Sequence, residues 1–230
     1  MSEMTAQQVK AEHVRVLGAE MGSIYNRLWN EIVQVRWEWT EYVTLFAQPQ
    51  DRIDVLNDAA GAFFFLVQHA LEQHVISSIA NLTDRPETGR SPPQPNLTVL
   101  RLPALARAVD PRFGDEVEMV VGAGSTSWKP IRDWRHKQLA HLDLDVALDR
   151  RVTPLPTVGK REVDAALSAL CDVLAAVDRR CSPGTDVRYD IVGRYGGADA
   201  ILDVLHRAKQ AIDGRMERLR TGRALREDLK

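Results

Sequence analysis

The sequence predicts an all-α protein, an antiparallel bundle of about six to eight helices with two long ones at its centre. Three observations predict it. Met21, Tyr25, Leu28, Ile32, Val35, Trp39, Tyr42 and Phe46 alternate spacings of four and three, a heptad seam about 39 Å long at about 1.5 Å per residue. Asp51 to Leu82 reads as a second long helix, with Phe64, Val67, Leu71, Val75, Ile79 and Leu82 on its inner face and Gly61 loosening it. Strands and helices do not alternate as a parallel sheet requires, and the β-like run Tyr189-Asp190-Ile191-Val192 is too short to matter.

Composition narrows the class. At 230 residues the chain is long enough for one compact domain, or one domain with an appendage. With 44% hydrophobic residues it can bury a core, and 27% charged residues is ordinary for a soluble protein. The longest apolar run, Ala59 to Val67, falls well short of the roughly eighteen residues a membrane span needs. Met1 to Gln8 is polar and acidic and lacks a signal-peptide core, so the expected compartment is the cytoplasm, with no membrane partner. Cys171 and Cys181 make no disulfide framework and are expected as reduced thiols. Without secretion, Asn81-Leu82-Thr83 and Asn96-Leu97-Thr98 carry no glycosylation meaning.

The remaining elements follow in order. Met4 to Leu17 is a short helix, after which Gly18 and Gly22 loosen the chain. Ala47-Gln48-Pro49-Gln50 breaks the heptad helix, and Asp51 caps the next. Residues Arg85 to Pro95 hold four prolines in eleven and read as a surface loop. Leu97 to Val109 is helical with an interruption at Pro103, and Arg112 to Val121 is a short helix bearing Phe113, Val117 and Val120 on one side. Gly122-Ala123-Gly124-Ser125 lacks the Gly-Lys-Ser/Thr ending of a phosphate loop and reads as a helix connection. Thr153 to Gly159 is a linker or extended arm. Val163, Leu167, Leu170, Leu174 and Val177 mark an amphipathic helix closed by Cys181-Ser182-Pro183-Gly184. Ala198 to Leu219 is the last helix, with Leu202, Leu205, Ala208, Ile212, Met216 and Leu219 expected inward. From Val204 onward eight Lys/Arg face four Asp/Glu, a frayed, solvated tail by expectation, with contact to a nucleic-acid backbone as the alternative.

One stretch concentrates chemistry. Lys129 to His141 holds four Lys/Arg, one Asp and two His, a local basic spot suited to phosphate on a near-neutral chain. Ser125, Thr126 or Ser127 is expected to cap a helix there, with Pro130 in its first turn. Ile131, Trp134, Gln138 and Leu142 form its inward stripe; Arg135 and His141 lie off it. Elsewhere, His69 and His74 are five apart rather than the four that place two imidazoles on one metal; an alternative reading has His69 and Glu72 lining a polar groove.

The string Arg135-His136-Lys137-Gln138-Leu139-Ala140-His141 resembles the Arg-x(4–6)-His motif of the HEPN superfamily. The run Lys-x-Leu-Ala-His-x-Asp is most similar to the abortive-infection U-type branch, and the segment closing on Leu82-Thr83-Asp84-Arg85 is similar to that branch's second helix. The resemblance covers roughly Met21 to Asp145. It implies an all-α, dimeric protein and a metal-independent ribonuclease of toxin–antitoxin or phage-defence type, with Arg135 and His141 as the catalytic pair. His136 stands where the family commonly has Asn or Asp. Supporting or substrate-binding roles then fall to His136, Lys137, Arg132 and Asp143. The expected division is 1–150 as the motif-bearing bundle and 151–230 as C-terminal helices packing on it or extending it.

Geometry adds a constraint. On one straight helix Arg135 and His141 stand roughly 120° and about 9 Å apart, too far to converge on one phosphate. Either the helix ends or bends near Ala140, or a second copy contributes across a two-fold interface. The expected partners are RNA, a second copy of the chain, and an antitoxin or other defence-system protein. The alternation in His141-Leu142-Asp143-Leu144-Asp145 suggests a metal cluster, but Asp143 or Asp145 as a helix cap is the ordinary explanation, and no metal or cofactor is expected. The competing class is a non-catalytic helical module that binds RNA or nucleotide, or that dimerises with a defence partner.

Overall fold

The computed structural model describes residues 5–89, 92–136, 158–182, 184, 196–223, 225 and 228. Among them are seven α-helices: α1 (Ala6–Leu17), α2 (Ala19–Phe46), α3 (Gln50–Leu82), α4 (Leu102–Val109), α5 (Pro111–Arg135), α6 (Lys160–Cys181) and α7 (Ala198–Arg220). The one sheet among the described residues is a two-stranded antiparallel ribbon, β1 (Glu87–Thr88) and β2 (Gln94–Pro95), which pairs Glu87 with Pro95 and Thr88 with Gln94. The protein is all-α, as the sequence predicts. No helix among the described residues is long and apolar enough to cross a membrane.

The chain divides into two compact units: Met1–Trp37 with Gln73–Asp190, and Glu38–Glu72 with Ile191–Lys230. In the first unit, the heptad positions Met21, Tyr25, Leu28, Ile32 and Val35 of α2 are all buried. So are Val75, Ile76, Ile79 and Leu82 of α3, and Val163, Leu167, Leu170, Leu174 and Val177 of α6. Polar atoms inside this core find partners, as burial demands. The Tyr25 hydroxyl donates to the Leu174 carbonyl at 3.1 Å and the Trp128 indole to the Ala166 carbonyl at 3.2 Å. Gly18, at φ 84°, ends α1. Gly22 then lets α2 pass against α1, because a Cβ there would stand 2.6 Å from the His13 carbonyl oxygen.

Helix α5 departs from expectation. Instead of a short helix, a connection and a new start at Pro130, one helix runs from Pro111 to Arg135, with Pro130 inside it and Asp110 as its N-cap. The Asp110 side chain accepts from the Phe113 amide at 3.1 Å, which lowers its carboxyl pKa. Gly124 belongs to this helix because Trp128 folds back over it; a Cβ at Gly124 would lie 2.5 Å from the indole. Ser125 and Thr126 cap nothing; their hydroxyls donate to the Gly122 and Ala123 carbonyls in the preceding turn. Pro103 falls at the start of α4, after a 3₁₀ turn over Val99–Arg101. The Pro-rich loop hides the β ribbon, which composition does not reveal.

In the second unit Leu45, Leu56, Phe64, Ala198 and Leu202 form the core, flanked by Phe46 and Leu205. Within α3, Ala60 adopts non-helical torsions (φ −164°, ψ 61°) and kinks the helix, one residue from the expected Gly61. Gly197 offers α7 no capping side chain, and Glu41 supplies one instead by accepting from the Ala198 amide. The inward stripe predicted for α7 holds only at its start: Leu202 is buried and Leu205 half-buried, whereas Ala208, Ile212, Met216 and Leu219 are exposed. The frayed tail is also corrected at Asp228, which is 4% exposed. Its carboxylate accepts from Arg218 Nε and Nη2 at 2.8 and 2.6 Å, and its carbonyl from Arg215.

Gly22→Ala should destabilise the first unit by about 1–3 kcal/mol, since α1 must move away from α2; urea unfolding measures this. The Arg218 guanidinium and the Leu225 amide hold the Asp228 carboxyl down at about 2, against an ordinary value of 3.8. Its contribution is therefore complete above pH 3.8 and lost as pH falls towards 2. Asp228→Asn should lower the melting temperature near neutral pH, with the gap to wild type closing across that acidic window.

Candidate functional site

Arg135 is the last residue of α5, and the His136 amide donates to the Arg132 and Asp133 carbonyls. His136 itself keeps helical torsions (φ −60°, ψ −39°). Lys137, His141 and Asp143 lie outside the described residues, as does Asp145. The structure therefore places Arg132, Arg135 and His136 of the expected set.

Three contacts fix this end of α5. Ile131 is buried. Arg132 Nη1 donates to the Thr83 carbonyl at 2.8 Å, supplying a donor to the C-terminus of α3 where intrahelical donors run out. Thr98 meets the same helix end, its hydroxyl donating to the Leu82 carbonyl at 2.9 Å and accepting from the Leu100 amide. Arg135 Nη2 donates to Asn81 Oδ1 at 3.1 Å. Lys129 pairs with Asp133 one turn on, at 2.7 Å.

Arg135 forms part of the lining of two polar clefts. One, of about 610 Å³, is lined by Arg27, Glu31, Ser78, Asn81, Asp84 and Arg135 among others. Its charge is mixed: Arg27 pairs with Glu31 at 2.5 Å, and Asp84 accepts from the Arg85 amide at 2.8 Å. The other cleft, about 300 Å³, is lined by Ala80, Asp84, Arg85, Arg132, Asp133, Arg135 and His136. Three guanidiniums and an imidazole there face two carboxylates, one of which Lys129 already engages. This second cleft is the better match for a phosphate, because arginine presents paired donors to its oxygens.

The matching comparison accords with this geometry. A protein-family model, HEPN_AbiU2 (AbiU2), matches residues 19–198. The chain belongs to this family. The AbiU2 match spans both clefts in full and extends the resemblance seen in the sequence beyond Asp145, through α6. Membership gives the chain an abortive-infection, toxin-related setting within a defence system. Neither a curated protein nor a solved structure matches it.

Sequence reasoning missed Arg27, Asn81 and Arg85 as cleft residues. Arg27 falls between seam positions Tyr25 and Leu28 and reads as an ordinary solvated charge, whereas Asn81 and Arg85 fall in the segment singled out for its resemblance without being read as a site. His69 lies in the second unit, exposed, with its ring parallel to that of Phe65 at 6.4 Å.

The two arginines should separate in mutagenesis. Arg132→Ala takes the donor from the Thr83 carbonyl at the buried end of α3 and should cost about 1–3 kcal/mol. Arg135→Ala removes an exposed contact and should change stability by no more than about 0.5 kcal/mol. Thermal unfolding of both variants checks this.

Proposed function

We propose that this AbiU2 protein is a metal-independent endoribonuclease acting as an abortive-infection effector. The observation that carries the reading is the position of Arg135, at the end of α5 between two polar clefts and grouped with Arg85, Arg132 and His136 in one of them. In this mechanism the RNA supplies its own nucleophile, the 2′-hydroxyl, which attacks the adjacent phosphodiester. Arg135 stabilises charge developing on the phosphorus oxygens through paired hydrogen bonds. His141, whose ordinary pKa lies near 6.5, acts as general base or acid around neutrality. Lys137, His136 and Arg132 hold phosphate, and Asp143 orients the motif. A homodimer would bring two motif copies to one cleft, and an antitoxin or other defence partner would restrain the activity in the cytoplasm.

The Arg135–Asn81 bond favours a second reading. An arginine held by an amide of its own chain, in a cleft shared with Glu31 and Asp84, also suits a non-catalytic module that binds RNA or a defence partner.

End-labelled RNA in excess EDTA separates these. The wild type should leave 2′,3′-cyclic phosphate and 5′-hydroxyl ends. Arg135→Ala should slow cleavage by about 10²–10³-fold and His141→Ala by about 10²–10⁴-fold. DNA, lacking the 2′-hydroxyl, should stay intact. RNA bound but uncut by a folded dimer would establish the second reading.

A further inference from the structure

A cluster in the first unit, away from α5, combines three kinds of metal-ligating atom. His13 of α1 meets Asp178 and Cys181 from the last turn of α6, and one donor atom from each lies within 4.8 Å of the other two. Their spacing on α6 is i, i+3, which turns both side chains to one face. His13 and Asp178 are each 6% exposed, and Cys181 is half-buried. Helix α1 reaches them because Gly22 admits its backbone against α2.

We infer that His13, Asp178 and Cys181 form a zinc site that fastens α1 to the end of α6. Imidazole, carboxylate and thiolate are the three donor types zinc takes from proteins, and a thiolate beside an imidazole selects it over magnesium or calcium. Ligand atoms around a tetrahedral zinc stand about 3.3–3.8 Å apart, given bonds of about 2.0–2.3 Å. The cluster therefore closes onto a metal with side-chain rotations of about 1 Å. Water fills the fourth position or, after leaving Arg15, Glu12, which lies near enough to act electrostatically on both His13 and Cys181.

The surroundings suit an outer shell. The Asn26 side-chain nitrogen stands 3.3 Å from His13 Nδ1. Turning that amide over presents its oxygen to an Nδ1–H, the arrangement that orients a metal-bound imidazole, and leaves Nε2 for the ion. A reactive thiol is a poor alternative reading, because burial, together with Asp178 and Glu12, pushes Cys181 up to about 12, far from a thiolate nucleophile. Binding displaces the thiol proton, so zinc uptake releases acid and weakens as pH falls.

The test uses untagged full-length protein, dialysed against zinc and then against metal-free buffer, with bound metal measured by mass spectrometry. Wild type should retain one zinc per chain and melt at a higher temperature than the apoprotein. Cobalt in its place should show a thiolate charge-transfer band and the intense visible bands of a tetrahedral ion. Cys181→Ser, at a half-exposed helix end, should stay folded by circular dichroism yet lose the charge-transfer band and retained zinc. His13→Gln should lose zinc as well, and Cys171→Ser should lose neither. Wild type that retains no zinc, or retains as much as Cys181→Ser, overturns the inference.

Discussion

The position of Arg135 depends on a hydrogen bond made by its neighbour. Arg132 reaches the Thr83 carbonyl and joins the last turn of α5 to the last turn of α3. The guanidinium supplies a donor to a helix end short of them, and Arg135, three residues on, is delivered to Asn81. Trp128, folded over Gly124 and bonded to α6, sets the rotation of α5 upstream of this point. The cleft is thus placed by packing and helix-end chemistry, with Asp84 and Arg85 supplied by the turn that follows α3.

Heptad spacing made α2 and α6 legible, because a side chain that recurs every three or four residues has one face to bury. Other features were hidden for reasons of scale. The continuity of α5 through three glycines and Pro130 is decided by tertiary contacts, Trp128 above all, which override local propensity. At α7 the same periodicity misled: Ile212, Met216 and Leu219 keep a helical spacing but remain exposed. Within the candidate site, the sequence pointed to Arg132, Arg135 and His136. It was silent about Arg27 and Asn81, since residues fifty or more positions apart meet only through the fold.

The AbiU2 match begins at residue 19 and ends at 198. Every residue lining the two arginine clefts falls inside that span, whereas α1 and nearly all of α7 fall outside it. Family membership therefore speaks to the clefts. The helix bearing His13 and the clasp that Arg215 and Arg218 make on Asp228 have to be argued from this chain's own contacts.

Glu41 and Ala198 stand 157 residues apart in the chain, yet the first turn of α7 is closed by that one carboxylate. A helix capped by a residue of its own can nucleate as soon as it leaves the ribosome, but α7 begins on Gly197 and has no such cap. Its N-terminal turn is completed only after the segment around Glu41 is in place. The assembly of the second unit is consequently ordered: the early part of the chain serves as template for the late part, and this long loop closure is expected among the slower steps of folding.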